Sequence, residues 1–105
     1  MPSEQIDITR NVRTIEWLKT ELVSGVAALH RGMLHHKDDM MLESLADTVI
    51  AAYLLARRLG VSFSRLEGKV AGKLRVNIDE RHQIEKWYGD LTALLEHLEK
   101  EENRV

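Results

Sequence analysis

The chain has 105 residues, which is enough for one domain with a modest hydrophobic core. Hydrophobic residues make up 44% and charged residues 30%, values typical of a globular rather than a disordered protein. The chain contains no cysteine, which excludes both a disulfide framework and a thiolate metal site. The net charge of −2 excludes the strongly basic character of a general nucleic-acid binder.

The ends and the hydropathy of the chain predict its location. The opening segment MPSEQIDITR is polar and lacks the apolar centre of a signal peptide. No segment approaches the roughly 20 consecutive apolar residues that span a bilayer. We therefore expect a cytoplasmic protein that does not contact membranes.

The first predicted helix is marked by apolar residues that recur every three or four positions from Ile8 to Met33. The intervening members of this stripe are Val12, Ile15, Leu18, Leu22, Val26 and Leu29. A polar run that includes His35 and His36 follows, and we predict that these two histidines lie in a loop.

The second predicted helix opens at Asp38 and Asp39, placed as N-cap and first-turn carboxylates, and Gly60 is suited to the C′ position that closes it. Its expected buried stripe consists of Met41, Leu45, Val49, Ala52, Ala56 and Leu59. Other apolar residues widen this stripe over most of the circumference. Such a helix is typical of the interior of a bundle or of a subunit interface.

A third helix is predicted with either Ser62 or Ser64 as its cap, and Ser64 and Glu67 fit a capping box. Gly68 and Gly72 are four residues apart and share a face, which favours a close helix crossing or the close approach of a ligand.

A turn at Asn77 and Asp79 is predicted to precede the last helix, which begins at about Glu80. The expected buried stripe of this helix contains Ile84, Trp87, Leu91, Leu94 and Leu98. The aromatic residues Trp17, Tyr53, Trp87 and Tyr88 lie on or beside predicted stripes, and we expect them in the core.

Four helices with short connections predict antiparallel neighbours in one all-α domain over residues 1–105, with 1–7 and 100–105 frayed. So small a chain with so apolar a second helix is expected to bury the excess against other copies of itself. We predict a homo-oligomer, either a dimer or a tetramer.

Three carboxylates are candidate metal ligands. Asp47 lies in the most apolar helix, where an ionised group without a partner is costly, and Glu43 precedes it by one turn on the same face. If the first and second predicted helices are antiparallel and joined near residue 36, position 25 of the first lies opposite about position 47 of the second. Glu21 then lies one helical turn from that point along the first helix. Such carboxylates are suitable ligands for Mg²⁺. The alternative is that these residues are exposed or paired with basic side chains, Glu21 with Lys19 for example.

Positive charge is concentrated in the middle of the chain. From Arg57 to Arg81 seven basic and three acidic residues give a net charge of +4, whereas residues 1–56 and 82–105 each sum to −3. This distribution is typical of a solvated basic face, and it is also consistent with a site for a phosphate-bearing small ligand.

A family resemblance rests on the segment ESLADTVIAAYLLARRLGVSFSRLEGKVAGKLRVN, residues 43–77. It resembles the second half of a MazG-type pyrophosphohydrolase domain, and the similarity extends to IEKWYGDL at 84–91 and back to NVRTIEWLK at 11–19. The resemblance implies a four-helix MazG-like bundle, completed by oligomerisation. It also implies Mg²⁺-dependent hydrolysis of a nucleoside triphosphate to the monophosphate and pyrophosphate.

The family's metal motifs are incomplete in this sequence. The later E-x-x-D motif corresponds to residues 44–47, where Asp47 matches but Ser44 replaces the glutamate and Glu43 is one position away. The first motif, E-E-x-x-E, corresponds to residues 20–24, where only Glu21 is acidic. The resemblance thus implies Glu21, Glu43 and Asp47 as metal ligands and leaves the catalytic residues unknown.

The family's phosphate- and nucleotide-contacting K-x-x-x-N pair corresponds to Lys73 and Asn77, and Arg81 extends it. Three hypotheses follow. The chain is a Mg²⁺-dependent nucleotide pyrophosphohydrolase, a non-catalytic helical homo-oligomer that binds nucleotide or a protein partner, or a helical module that binds a partner through its last helix.

Overall fold

The structure is a computed structural model that describes residues 2–102, with side chains from 5 to 101. Over this range the chain forms five α-helices and no strand, which confirms the all-α prediction. They are α1 (Pro2–Leu34), α2 (Asp38–Arg58), α3 (Phe63–Asp79), α4 (Gln83–Tyr88) and α5 (Asp90–Glu102). The segments expected to be frayed are helical as far as they are described.

The chain divides into two compact units, Met1–Phe63 and Ser64–Val105. The first contains α1 and α2, and the second contains α4, α5 and nearly all of α3. The prediction of one domain over residues 1–105 stays a prediction.

In the first unit α1 and α2 form an antiparallel hairpin. The turn between them contains His36 in the left-handed region, with φ of 54°. The N–H of Lys37 donates to the carbonyl of Gly32 at 2.9 Å, and that of His36 donates to Met33 at 3.3 Å. This is the Schellman pattern that ends helices, and it confirms the predicted loop position of His35 and His36.

The start of α2 differs from the prediction. Lys37 is the N-cap residue and makes no side-chain capping hydrogen bond, whereas Asp38 and Asp39 both lie in the first turn. The N-cap prediction for Asp38 is therefore wrong. Both carboxylates nevertheless lie near the N-terminus of α2, where its dipole favours negative charge.

Small residues form the α1–α2 contact. A Cβ atom added to Gly25 would lie 2.6 Å from Thr48 Oγ1, and one added to Gly32 would lie 3.2 Å from the backbone nitrogen of Met41. Opposite Gly25, the Ser44 side chain is buried. The two helices can approach closely because these positions have no large side chain.

The predicted stripes of α1 and α2 are only partly buried. On α1, Leu18 is buried and Ile15, Leu22 and Leu29 are half-buried, but Ile8, Val12, Val26 and Met33 are exposed. On α2, Met41 and Ala56 of the predicted stripe are half-buried, but the prediction is wrong for Leu45, Val49, Ala52 and Leu59, which are exposed. Ser44 and Ala51 are buried instead. The α2 face that packs on α1 is the one with small side chains, because only it permits the close approach.

Gly60 ends α2 as predicted. Its φ is 87°, its N–H donates to Arg57, and the next N–H, that of Val61, donates to Ala56. The same pattern ends α3, with Arg81 in the left-handed position at φ of 56° and the His82 N–H donating to Asn77.

The second unit corrects two predicted boundaries. α3 continues to Asp79, so Asn77 lies inside the helix and not in a turn. The last predicted helix is two helices, because Gly89 adopts φ of 68° and separates α4 from α5.

The aromatic residues are mostly not in the core. Tyr53 is half-buried and packs edge-to-face on Phe63 with ring centroids 5.7 Å apart. Trp17, Trp87 and Tyr88 are exposed, so the core prediction is wrong for these three. Of the last predicted stripe, Leu91 and Leu98 are half-buried, whereas Ile84 and Leu94 are exposed.

Within the described range, each helix is too short or too polar to cross a membrane.

Candidate functional site

Glu43 and Asp47 lie one turn apart on α2, and both side chains are exposed. The expectation of apolar surroundings for Asp47 is therefore wrong for the single chain. The reason is that the large apolar residues of α2 lie on its outer surface, so they do not remove this carboxylate from water. Glu21 on α1 is exposed as well.

The predicted register of the hairpin is confirmed. Gly25 lies against Ser44 and Thr48, as the placement of position 25 opposite about 47 requires. Since a helix rises about 1.5 Å per residue, Glu21 lies roughly 6 Å along α1 from that crossing. Across residues 5–101, however, no group of three or more histidine or acidic side chains is arranged to hold a metal ion. Joint metal binding by Glu21, Glu43 and Asp47 stays a prediction.

The three carboxylates have no ion-pair or hydrogen-bond partner in the described part of the chain. Lys19, the alternative partner of Glu21, bonds instead to Glu16 at 3.1 Å. Two unpaired like charges one turn apart on α2 destabilise a helix slightly. A cation bound between Glu43 and Asp47 would remove that repulsion.

Ser44 occupies the position where the family motif has glutamate. Its side chain is only 3% exposed, and its hydroxyl donates to the Met40 carbonyl at 2.7 Å. Thr48 in turn donates to the Ser44 carbonyl at 2.8 Å. Ser44 is therefore part of the packing against Gly25 and is not a metal ligand. The sequence signal for this role is a set of small residues at helical spacing, which an analysis of large apolar residues overlooks.

The predicted phosphate-binding residues lie in the second unit. Lys73 and Asn77 are one turn apart on α3 and share one open face of that helix with Gly68, Lys69, Gly72 and Val76. A Cβ atom added to either glycine would meet nothing within 4 Å, so no helix of the described residues crosses α3 closely at Gly68 and Gly72. Arg81 follows the end of α3, is exposed and does not belong to this face.

The sequence did not reveal the role of Glu85, which links α4 to α5. Its carboxylate accepts hydrogen bonds from the backbone N–H of Thr92 at 3.1 Å and from the Thr92 hydroxyl. Thr92 is in the first turn of α5, where backbone donors have no partner within the helix. The hydrogen bond from the Thr92 hydroxyl has the larger effect and lowers the pKa of Glu85 below its usual range, and the bond from the Thr92 backbone N–H lowers it further. Glu85 therefore caps α5 rather than contributing to a site.

A helical hairpin with exposed carboxylates on α2 and a second helical unit with two lysines on one face of α3 define the chain as an all-α protein. The sequence profile of the MazG-like family matches residues 8–91, which is most of the chain. The protein belongs to the MazG-like family. No curated protein and no solved structure gives a significant match.

Proposed function

We propose that this MazG-like protein is a Mg²⁺-dependent nucleotide pyrophosphohydrolase, which converts a nucleoside triphosphate to the monophosphate and pyrophosphate. Family membership supports the general class. The observation that supports the reaction in this chain is the Glu43–Asp47 pair, two exposed carboxylates one turn apart with no partner in the described residues. We also propose that it acts in the cytoplasm.

These carboxylates are suited to Mg²⁺. The ion prefers oxygen ligands, retains several waters and is commonly held by one or two carboxylates together with substrate phosphates. Glu43 and Asp47 would be the protein ligands, with Glu21 as the third candidate. The metal would orient the phosphates and lower the pKa of a bound water. Lys73, Asn77 and Arg81 are the proposed phosphate and nucleotide contacts.

A pyrophosphate-release assay over common and damaged nucleotides, with and without Mg²⁺, tests this proposal. We expect release that depends on Mg²⁺ and falls at least a hundredfold in Asp47→Asn. Asp39→Asn removes a charge from the same helix outside the pair and serves as the control, with activity within about twofold of the parent. Release that is absent with every nucleotide, or unaffected by Asp47→Asn, contradicts the proposal.

The burial of Ser44 favours a second candidate, a non-catalytic protein that binds nucleotide or a protein partner. A buried hydroxyl replaces one of the family's carboxylates, so the chain provides fewer metal ligands. Calorimetric titration of nucleotide with and without Mg²⁺ separates the two candidates. Affinity that is indifferent to Mg²⁺, without turnover, supports the binding protein, and affinity that requires Mg²⁺ and Asp47 supports the enzyme.

We further propose self-association through the outer face of α2. Five large apolar side chains are exposed there, Leu42, Leu45, Val49, Ile50 and Leu54. An apolar surface of this extent on one helix is typical of an interface, and a second copy of the chain presents the same surface. We expect light scattering to give a dimer or tetramer that Val49→Glu dissociates, whereas Thr20→Glu, at an exposed polar position of α1, leaves it intact. A monomeric parent chain would overturn this proposal.

A further inference from the structure

The outer apolar face of α2 has a charged residue at each end. Asp39 lies in the first turn of the helix and Arg57 in its last turn, and both side chains are exposed. They are 18 residues apart, which is about five full turns, so both lie on one line along the helix. Leu42, Ile50 and Leu54 follow Asp39 at three, eleven and fifteen residues, spacings that keep them on the same side of the helix.

The charges and the apolar residues of this face share one midpoint. Residue 48 lies halfway between Asp39 and Arg57. It also lies halfway between Leu42 and Leu54, the first and last large apolar residues of the face. Such a helix is complementary to an antiparallel copy of itself, because a twofold axis at residue 48 places each Asp39 opposite Arg57 of the partner subunit. A parallel copy would instead place like charges against one another at both ends.

Both charges are available for a partner. Asp39 has no ion pair or hydrogen bond in the described residues. The Arg57 guanidinium lies over the Phe63 ring, 5.2 Å from its centroid, and forms no ion pair over the same range. An arginine stacked on a ring keeps N–H donors for a carboxylate, so Phe63 positions Arg57 without consuming them. The dipole of α2 favours these signs at its two ends, but it does not require both charges to lie on the exposed apolar face.

We propose that α2 packs antiparallel against α2 of a second copy, with Asp39 of each chain paired with Arg57 of the partner subunit. This inference rests on the self-association proposed above, and it adds the orientation of the two copies and the residues that select it. The apolar side chains supply most of the driving force for association. The two symmetric ion pairs select the orientation, since the parallel alternative brings like charges together. A face whose two ends complement each other fits a second copy of the same chain.

Charge reversal tests the pairing, with the dissociation constant measured by sedimentation velocity. Arg57→Asp and Asp39→Arg each create two like-charge contacts in an antiparallel pair, and we expect each to weaken association at least tenfold. An equimolar mixture of the two variants should associate within about threefold of the parent, because opposite charges meet again at both ends. Arg31→Asp, the same reversal in the last turn of α1, is the matched control and should stay within about twofold of the parent.

Asp39→Asn is the neutral variant at the same position. It removes both ion pairs without creating a repulsion. Exposed ion pairs contribute little to association, so this variant should associate within about fivefold of the parent and remain assembled in the activity assay. Circular dichroism of every variant checks that the helices persist.

Disulfide cross-linking measures the orientation directly, since the chain has no cysteine of its own. A mixture of Asp39→Cys and Arg57→Cys chains should form a cross-linked dimer under mild oxidation, whereas Asp39→Cys alone should not. In the antiparallel pair the two copies of position 39 lie roughly 27 Å apart along the helices, which a disulfide cannot span.

Three outcomes would overturn the antiparallel arrangement. They are parent affinity in Arg57→Asp, parent affinity in Asp39→Arg, and cross-linking of Asp39→Cys alone as fully as in the mixture. If Val49→Glu still dissociates such a chain, self-association through α2 is retained and only the orientation is rejected. A monomeric parent rejects both. Nucleotide turnover is measured separately, so none of these outcomes decides the hydrolase proposal.

Discussion

The two units use their small residues in opposite ways. In the α1–α2 hairpin, Gly25 and Gly32 lie against atoms of α2 at distances that leave no room for a side chain. On α3, Gly68 and Gly72 face open space. The same residue type thus permits close helix packing in the first unit and leaves an empty surface in the second.

The charged candidate residues of the two units are opposite in sign but alike in being exposed. The hairpin presents unpaired carboxylates on an exposed flank, and the second unit presents unpaired lysines beside bare glycines. Neither set is held in place by buried hydrogen bonds in the described residues. The geometry of each set follows from helical spacing alone, so a ligand is needed to bring the side chains together.

Gly25→Leu is expected to have the largest effect on stability. The new side chain must displace Thr48, whose hydroxyl is bonded to the Ser44 carbonyl, or force the helices apart. Overpacking of this kind costs about 2–3 kcal/mol in the free energy of unfolding, measured by urea denaturation. Val23→Leu, at an exposed position of α1, is the control with little change. If Gly25→Leu leaves the free energy of unfolding unchanged, α1 and α2 do not approach each other closely at this position.

Gly68→Ala and Gly72→Ala are expected to stabilise the chain, whereas Gly25→Leu destabilises it. Each added methyl group meets nothing, and alanine is favoured over glycine in a helix by about 1 kcal/mol. Urea denaturation should therefore show each variant to be more stable than the parent by about that amount. Destabilisation by either variant would indicate a packing partner for this face.

The sequence predicted the helical class, the hairpin register and the end of α2 at Gly60, because these depend on local periodicity and turn chemistry. It failed on which faces are buried. Periodicity identifies the large apolar stripe of Leu45 and Val49, but the face that packs on α1 was decided by the small residues Ser44 and Ala51. Spacing placed Glu43 and Asp47 on one face correctly, but it could not show that their surroundings are exposed, because this depends on which face α1 covers.

Three of the four helix ends closed by left-handed residues allow a further test with effects of about the same size. Gly60→Ala should destabilise the chain and His36→Gly should stabilise it, each by about 1 kcal/mol, since a side chain is disfavoured at positive φ. Arg81→Gly should stabilise by a similar amount. Thermal unfolding of the three single variants shows whether each one stabilises or destabilises the chain. Stabilisation by Gly60→Ala would contradict the left-handed assignment.

The smallest expected effect concerns the pH dependence of the α4–α5 connection. Hydrogen bonds from Thr92 lower the pKa of Glu85 in the folded chain, so the folded state releases this proton more readily than the unfolded state. The stabilisation by Glu85 is complete above its usual pKa of 4.5 and is lost as the pH falls through the lowered value. The Tm of the parent should exceed that of Glu85→Gln at neutral pH, and the difference should shrink below pH about 4.5. Glu96→Gln, at an exposed position of α5, controls for the loss of one charge. A Tm difference that stays constant down to pH about 3 would mean that Glu85 stabilises α5 through packing rather than through its charge.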